Sequence, residues 1–79
     1  MLFALICTDK PNSLELRQQS RPDHLTFLES LGNSLKAAGP ITDDEGRPTG
    51  SLVVIEAEDR AAISAIAGRD PYAVAGLFA

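Results

Sequence analysis

Cysteine and histidine, which supply the disulfides and zinc sites of many small proteins, are almost absent from this chain. Its 79 residues include one cysteine, Cys7, and one histidine, His24. A single cysteine cannot form an intrachain disulfide, and one residue of each type cannot complete a tetrahedral zinc site of Cys and His ligands. The sequence also lacks a glycine-rich phosphate loop and any cofactor fingerprint. We therefore expect no bound metal and no cofactor.

Positive charge and long apolar runs are also scarce. Seven Lys and Arg residues against eleven Asp and Glu residues give a formal charge of -4. The basic residues are scattered, which argues against binding to nucleic acid. The apolar start, Met1 to Ile6, is far shorter than the ~20 residues of a membrane-spanning helix, and no basic segment precedes it. We expect a cytoplasmic protein that binds neither nucleic acid nor membrane.

Chain length predicts a single domain, residues 1–79, whose core is marginal on its own. Residues 2–8 and 51–57 are apolar at consecutive positions, which is typical of strands buried on both faces. Residues 34–41 fit either the end of a helix or an edge strand, and the Gly32-Asn33 break favours a strand from about 35. The polar stretch 42–50 predicts a hairpin loop.

Capping residues predict where the first helices begin. Asn12 is expected to start a short helix at 13–19, and Ser20 is expected to cap a second helix. Pro22 suits the first turn of that second helix, because its missing N–H has no partner there in any case. His24 would then lie close to the positive end of the helix dipole, which disfavours a second proton on its imidazole.

Two further caps complete the order of elements. Asp59 predicts a helix over 60–67, Asp70 begins a short helical turn that ends at Gly76, and residues 77–79 are typical of the start of a strand. The order predicts an α+β, ferredoxin-like βαββαβ fold, with both helices on one face of an antiparallel sheet. The other face needs cover, so we expect a homodimer packed sheet to sheet.

His24 and Asp70 are the candidate catalytic residues. A neutral imidazole can accept a proton, and an aspartate that accepts from its N–H would orient it. Each residue also has a purely structural interpretation. His24 could be bonded to a backbone carbonyl at the edge of the core, and Asp70 could be only a helix cap.

Three more residues are candidates for binding a small molecule. Arg21 could bind an anionic group, although an exposed helix-start arginine is the simpler interpretation. Tyr72 could form a pocket wall or donate a hydrogen bond, or it could simply pack against the sheet. Ser51 lacks the glycine-framed turn that exposes a nucleophile, so we assign it to binding. Cys7 is expected to be a small core residue.

Five short motifs occur in a characteristic order and spacing. They are Ser13-Leu14 with Arg17, Arg21-Pro22-x-His24-Leu25, Ala38-Gly39-Pro40, Gly50-Ser51-Leu52, and Asp70-Pro71-Tyr72 with Ala75-Gly76-Leu77. In these motifs the chain resembles the YciI-like proteins of the YCII-related domain family. The resemblance implies a ferredoxin-like subunit that pairs into a dimeric α+β barrel, with a His24–Asp70 dyad. It also implies a last strand beyond Gly76, of which this chain carries only the start.

These observations leave three functions open. The first is a small-molecule enzyme in which His24 acts as general acid and base in proton transfer, elimination or isomerisation. The second is a non-catalytic module that binds a ligand in the same cleft. The third is a dimerisation unit with no ligand.

Overall fold

Three strands and three helices form the fold in the computed structural model, which describes all 79 residues. In chain order they are β1 (Leu2–Thr8), α1 (Leu14–Ser30), a short 3-10 turn (Gly32–Ser34), β2 (Leu35–Thr42), β3 (Pro48–Glu56), α2 (Arg60–Gly68) and α3 (Pro71–Val74). The predicted α+β class and the strand from about residue 35 are confirmed. None of the helices is both long enough and apolar enough to cross a bilayer.

The sheet is antiparallel, with the strand order β1-β3-β2. β3 is central: Val53 pairs with Leu5 of β1 on one side and with Ala38 of β2 on the other. β2 is an edge strand with no neighbouring strand on its outer side. Proline has no N–H to donate to a neighbour, so Pro40 is tolerated in this position.

Both long helices pack on one face of the sheet, which we call the inner face. Leu28 of α1 and Ile63 of α2 form the core with Val53 and Ile55 of β3. Asp59 caps α2 by accepting a hydrogen bond from the N–H of Ala62 at 2.8 Å, as predicted.

The outer face of the sheet is apolar and uncovered in the single chain. Leu2 and Ile6 of β1 are 60% and 72% exposed, and Leu52 of β3 and Ile41 of β2 are 38% and 37% exposed. The register places Ile6 beside Leu52 on this face. The pattern of strands apolar on both faces is therefore real, and the chain itself covers only one of those faces.

The predicted break between two helices at Ser20 is wrong, because α1 runs without interruption from Leu14 to Ser30 with Pro22 inside it. Arg17, His24 and Leu28 are buried on either side of Pro22. Packing on one continuous face holds the helix together, although the proline removes one backbone hydrogen bond. His24 consequently lies in the middle of α1, so the argument from the positive end of a helix does not apply to it.

The other boundary corrections concern turns. Asn12 does not cap α1; it adopts a left-handed backbone with φ of 58°, and Ser13 occupies the cap position. The hairpin loop is shorter than 42–50, because the β2–β3 ladder continues to the Thr42–Pro48 pair. The carboxylate of Asp43 closes this turn by accepting hydrogen bonds from two backbone N–H groups, at 2.9 and 3.0 Å.

The expected last strand is present only as a bridge beside β1. Phe78 pairs with Asp9, and the N–H of Ala79 donates to the carbonyl of Thr8 at 2.7 Å. Residues 78 and 79 therefore lie along the edge of β1 that does not pair with β3, and the sheet has three strands.

Candidate active site

α1 carries the two buried polar residues around which the site is built. Arg17 and His24 are seven residues apart, which places them on one face of the helix about two turns from each other. Both are almost fully buried, with exposures of 6% and 7%. Buried groups of this kind need polar partners, and each finds an aspartate from a distant part of the chain.

Asp70 is the partner of His24. Its Oδ1 lies 2.8 Å from Nδ1 of the imidazole and also accepts a hydrogen bond from the N–H of Tyr72 at 2.9 Å. A carboxylate can only accept, so this contact favours the tautomer with the proton on Nδ1. Nε2 has no partner in the protein, and no buried side-chain nitrogen or oxygen lacks one, so Nε2 is open to its surroundings.

Tyr72 fixes the plane of the imidazole. Its ring is stacked on His24, with 3.9 Å between the ring centroids and 15° between their planes. Tyr72 also packs edge to face against Phe78, with 6.0 Å between the two ring centroids. Burial raises the pKa of the Tyr72 phenol, and the charges of Arg17 and Arg21 oppose that rise only in part. The hydroxyl therefore stays neutral at ordinary pH.

Arg17 is the centre of a second buried network. Its Nε donates to Oδ2 of Asp9 at 2.7 Å, and its Nη2 donates to the carbonyl of Gly50 at 2.6 Å and to Oγ of Ser51 at 2.5 Å. Nη1 approaches the hydroxyl of Tyr72 at 3.5 Å. The guanidinium thus joins α1 to the end of β1, to β3 and to α3.

This network was missed as part of the site, although Arg17 belongs to one of the sequence motifs. Its spacing of seven residues from His24 was the available signal, because it places a second polar side chain on the same face. The network also explains Ser51, whose Oγ accepts from Arg17 and is 3% exposed. Ser51 lines the site without being activated as a nucleophile.

A cleft of about 520 Å³ opens beside His24, between α1, β2 and the β2–β3 turn. Four of the predicted site residues line it: Arg21, His24, Ser51 and Tyr72. Leu14, Leu25, Leu28, Pro40 and Val53 supply its apolar wall. The volume lies in the range of sites for small organic ligands.

Asp70 does not line this cleft. It lies behind the imidazole and borders a second cavity of about 280 Å³, whose lining is almost entirely apolar and includes Cys7 and Phe78. Burial raises the pKa of the Cys7 thiol, and the charges of Asp70 and Asp9 raise it further. The thiol is therefore neither a thiolate nor a nucleophile at ordinary pH.

No three His, Cys, Asp or Glu side chains group together in a way that could hold a metal ion. The candidate site consists of His24 and Asp70, which are in contact, with Tyr72 stacked on the imidazole and the Arg17 network beside it. An imidazole with one nitrogen fixed by a carboxylate and the other open to a cleft can accept and return a proton.

Comparison with known proteins assigns the chain to a family. The model of the YCII-related domain matches residues 1–79. The chain belongs to the YCII-related domain family. The protein YciI of Escherichia coli O6:H1 is 40% identical over 86 aligned positions, which cover 99% of this chain and 88% of the relative. An uncharacterised protein of Haemophilus influenzae is 38% identical over 87 positions, which cover 100% and 89%.

A solved structure of similar fold comes from an enzyme. It is the 5-chloro-2-hydroxyhydroquinone dehydrochlorinase of Burkholderia phenoliruptrix in complex with 2,5-dihydroxybenzoquinone. The TM-score is 0.91 at 34% sequence identity, and the match covers 100% of this YCII-related chain and 86% of the dehydrochlorinase chain. The chain is therefore similar in fold to an enzyme that is named for its action on a chlorinated hydroxyhydroquinone.

Proposed function

We propose that this YCII-related protein is a small-molecule enzyme in which His24 is the general acid and base and Asp70 orients it. The single observation that carries the proposal is the 2.8 Å contact between Nδ1 and Asp70, which leaves Nε2 without a protein partner on a residue that lines the cleft. A base whose other nitrogen is held by a carboxylate has a fixed tautomer, and its charged form is stabilised.

The substrate class we propose is a hydroxylated ring compound. Nε2 takes the proton of a ring hydroxyl, which gives an imidazolium beside Asp70 and an enolate or phenolate on the ring. The imidazolium then returns that proton to a ring carbon, so the net change is a keto–enol tautomerisation. Where that carbon carries chlorine, chloride leaves with the bonding electrons as a second hydroxyl loses its proton, and HCl is eliminated overall.

Two features support a ring as the substrate. The cleft volume of about 520 Å³ accommodates one ring with polar substituents. The similar dehydrochlorinase acts on a chlorinated hydroxyhydroquinone and was solved with a dihydroxybenzoquinone. Its fold is close enough, at a TM-score of 0.91, for the same class of ligand to be tested first.

The experiment compares turnover and binding in the same variants. Purified protein is given 5-chloro-2-hydroxyhydroquinone, and chloride release is followed beside a panel of non-chlorinated hydroquinones monitored by ring absorbance. We expect His24→Gln to lose about 10²- to 10⁴-fold in kcat/KM while still binding 2,5-dihydroxybenzoquinone. The control is Arg60→Gln, because Arg60 is an exposed residue of α2 that makes no contact with the cleft.

Each outcome of this experiment decides between functions. Turnover by His24→Gln at the wild-type rate contradicts the proposed role of His24. Binding of 2,5-dihydroxybenzoquinone with no conversion of any compound in the panel contradicts catalysis and favours the ligand-binding module.

We also propose that a second copy of the chain covers the outer face of the sheet. The argument is the exposure of Leu2, Ile6 and Leu52 on one contiguous apolar surface, in a chain too short for a large core of its own. Light scattering after size exclusion tests this. We expect a dimer that Ile6→Glu converts to monomer, whereas Val74→Glu, at another exposed apolar residue, has no effect. A monomeric wild type would contradict the proposal.

A further inference from the structure

The charges that line the cleft are all of one sign. Sixteen residues line it, and they include three arginines and no aspartate or glutamate. The chain as a whole carries a formal charge of -4. A cationic cleft in an acidic protein concentrates positive potential where a ligand enters, which favours an anionic ligand over a neutral one.

Two of the three arginines already have carboxylate partners. Arg17 is bonded to Asp9 within the buried network, with Nε and Oδ2 2.7 Å apart. Arg47, in the β2–β3 turn, contacts Glu45 at 2.8 Å and Asp43 at 3.2 Å. These contacts offset much of both positive charges before any ligand arrives.

Arg21 has no such partner. Its side chain forms no ion pair and no hydrogen bond in the protein, although it lines the cleft. On α1 it lies four residues after Arg17 and three residues before His24, so all three side chains fall on neighbouring positions of one helix face. Three residues correspond to ~4.5 Å along the helix axis. An anionic group held by Arg21 therefore lies about one turn from the imidazole.

The apolar wall of the cleft lies beside this cation. Leu25 and Leu28 follow Arg21 on the same helix and line the cleft with Val53 of the inner sheet face. A flat apolar ring can pack against these side chains while an acidic substituent reaches the guanidinium. The planar guanidinium can donate two parallel hydrogen bonds to the two oxygens of a carboxylate. It can also donate to the single oxygen of an ionised hydroxyl.

We infer that the cleft selects an anionic ring compound, with its carboxylate or acidic hydroxyl bound by Arg21 and with Arg47 as a weaker second cation. The inference rests on the proposed function for the position of the reacting hydroxyl. It adds that the substrate is anionic and that Arg21 binds its negative charge. The difference between Arg21 and Arg47 follows from the carboxylates that already neutralise Arg47.

The test uses two probes of equal size that differ in charge, 2,5-dihydroxybenzoate and 2,5-dihydroxybenzamide, and measures their affinities by titration calorimetry. We expect the wild type to bind the carboxylate about tenfold more tightly than the amide, because a charge-assisted hydrogen bond replaces a neutral one. Added salt should weaken binding of the carboxylate and leave binding of the amide unchanged.

Three arginine variants locate the source of the preference. Arg21→Gln should lose most of the preference for the carboxylate, and Arg47→Gln should lose only about twofold, since its charge is already offset. Arg60→Gln is the matched control, because it removes one positive charge from α2, away from the cleft. It should leave the preference unchanged.

The inference is wrong if the amide binds as tightly as the carboxylate, if neither probe binds, or if Arg60→Gln reduces the preference as much as Arg21→Gln. The same titrations with His24→Gln separate this inference from the proposed reaction. A carboxylate preference retained in His24→Gln supports the role of Arg21 whether or not turnover depends on His24. Loss of that preference in His24→Gln alone would assign it to the imidazole and overturn the inference.

Discussion

Arg17 and His24 invite comparison because they occupy equivalent positions. Both are buried on the same face of α1, both are bonded to an aspartate, and both contact the ring of Tyr72. They differ in how many of their polar atoms are occupied. Arg17 uses all three of its nitrogens within the protein, whereas His24 uses Nδ1 and leaves Nε2 free.

The difference separates an ion pair that supports the structure from a histidine–aspartate contact that is available for proton transfer. A buried charge whose nitrogens are all in contact with protein acceptors contributes mainly to the native structure and has little capacity left for a ligand. A buried imidazole with one open nitrogen keeps a site for proton transfer. The comparison therefore predicts that variants on the Arg17 side change stability, and that variants on the His24 side change turnover.

The largest effect is expected for Arg17→Met, which leaves the carboxylate of Asp9 buried without its partner. We expect the free energy of unfolding to fall by about 3–5 kcal/mol, measured by urea denaturation. The control is Arg60→Met, at an exposed position, which should change stability by less than about 0.5 kcal/mol. Adding Asp9→Leu to Arg17→Met should recover part of the loss, since the unpaired charge is removed. A loss below about 1 kcal/mol for Arg17→Met would refute the comparison.

The next prediction tests the structural role of the Arg17 network at Gly50, whose carbonyl accepts a hydrogen bond from Arg17. A Cβ atom at Gly50 would lie 2.3 Å from the carbonyl oxygen of Cys7, so β1 and β3 would have to separate. We expect Gly50→Ala to cost about 1–3 kcal/mol of stability. Gly39→Ala is the matched control, because a Cβ there meets nothing within 4 Å. Equal stability of the two variants would show that the close approach is not limiting.

Asp70→Asn tests the chemical side. Asparagine can still accept from the N–H of Tyr72 and keep the cap of α3, so we expect the free energy of unfolding to change by less than about 1 kcal/mol. Turnover should fall by about 10²-fold or more, because the negative charge that stabilises the imidazolium is lost. Asp59→Asn alters a helix cap with no histidine beside it and should leave kcat/KM unchanged. A variant of Asp70 that keeps full activity would contradict the dyad.

The smallest effect concerns pH. Burial, with the charges of Asp70 and Asp9, raises the pKa of Cys7 above its usual 9.0 in the folded protein. The unfolded thiol then loses its proton first, so stability from this group is complete below pH 9.0 and is lost as pH rises through the folded pKa. Urea denaturation from pH 8 to about 10 should show a shallow fall that Cys7→Ala removes. An identical slope in that variant would assign the fall to another group, such as Tyr72.

The strands and the caps of α2 and α3 could be predicted because their signals are local, whereas the caps expected at Asn12 and Ser20 were wrong. Consecutive apolar residues marked β1 and the middle of β3, and Asp59 and Asp70 each cap the helix that follows within two or three residues. The break between two helices at Ser20 was predicted for the same local reason, with Pro22 in the first turn of the second helix, and it was wrong. What overrides the proline is burial of Arg17 and His24 on one face, and that depends on partners far along the chain.

The candidate site could be predicted only in part, because some of its contacts join residues that are far apart in the sequence. His24 and Asp70 stood out by chemistry, and family resemblance suggested that they pair. For the Arg17 network the only signal was the spacing of Arg17 from His24, because its partners come from the end of β1, from β3 and from α3. No spacing rule along the sequence connects those segments, so only the folded chain places them around one guanidinium.

Pro22 also has a mechanical consequence for α1. Because proline has no N–H, the carbonyl of Gln18 lacks the donor that a regular helix supplies, and one rung of the backbone ladder is missing between Arg17 and His24. The helix thus consists of two regular segments joined at a weaker point. Asp9 holds the first segment through Arg17, and Asp70 holds the second through His24. Loss of one of these contacts frees one segment while the other stays packed, so amide exchange along α1 would report the Arg17–Asp9 and His24–Asp70 contacts separately.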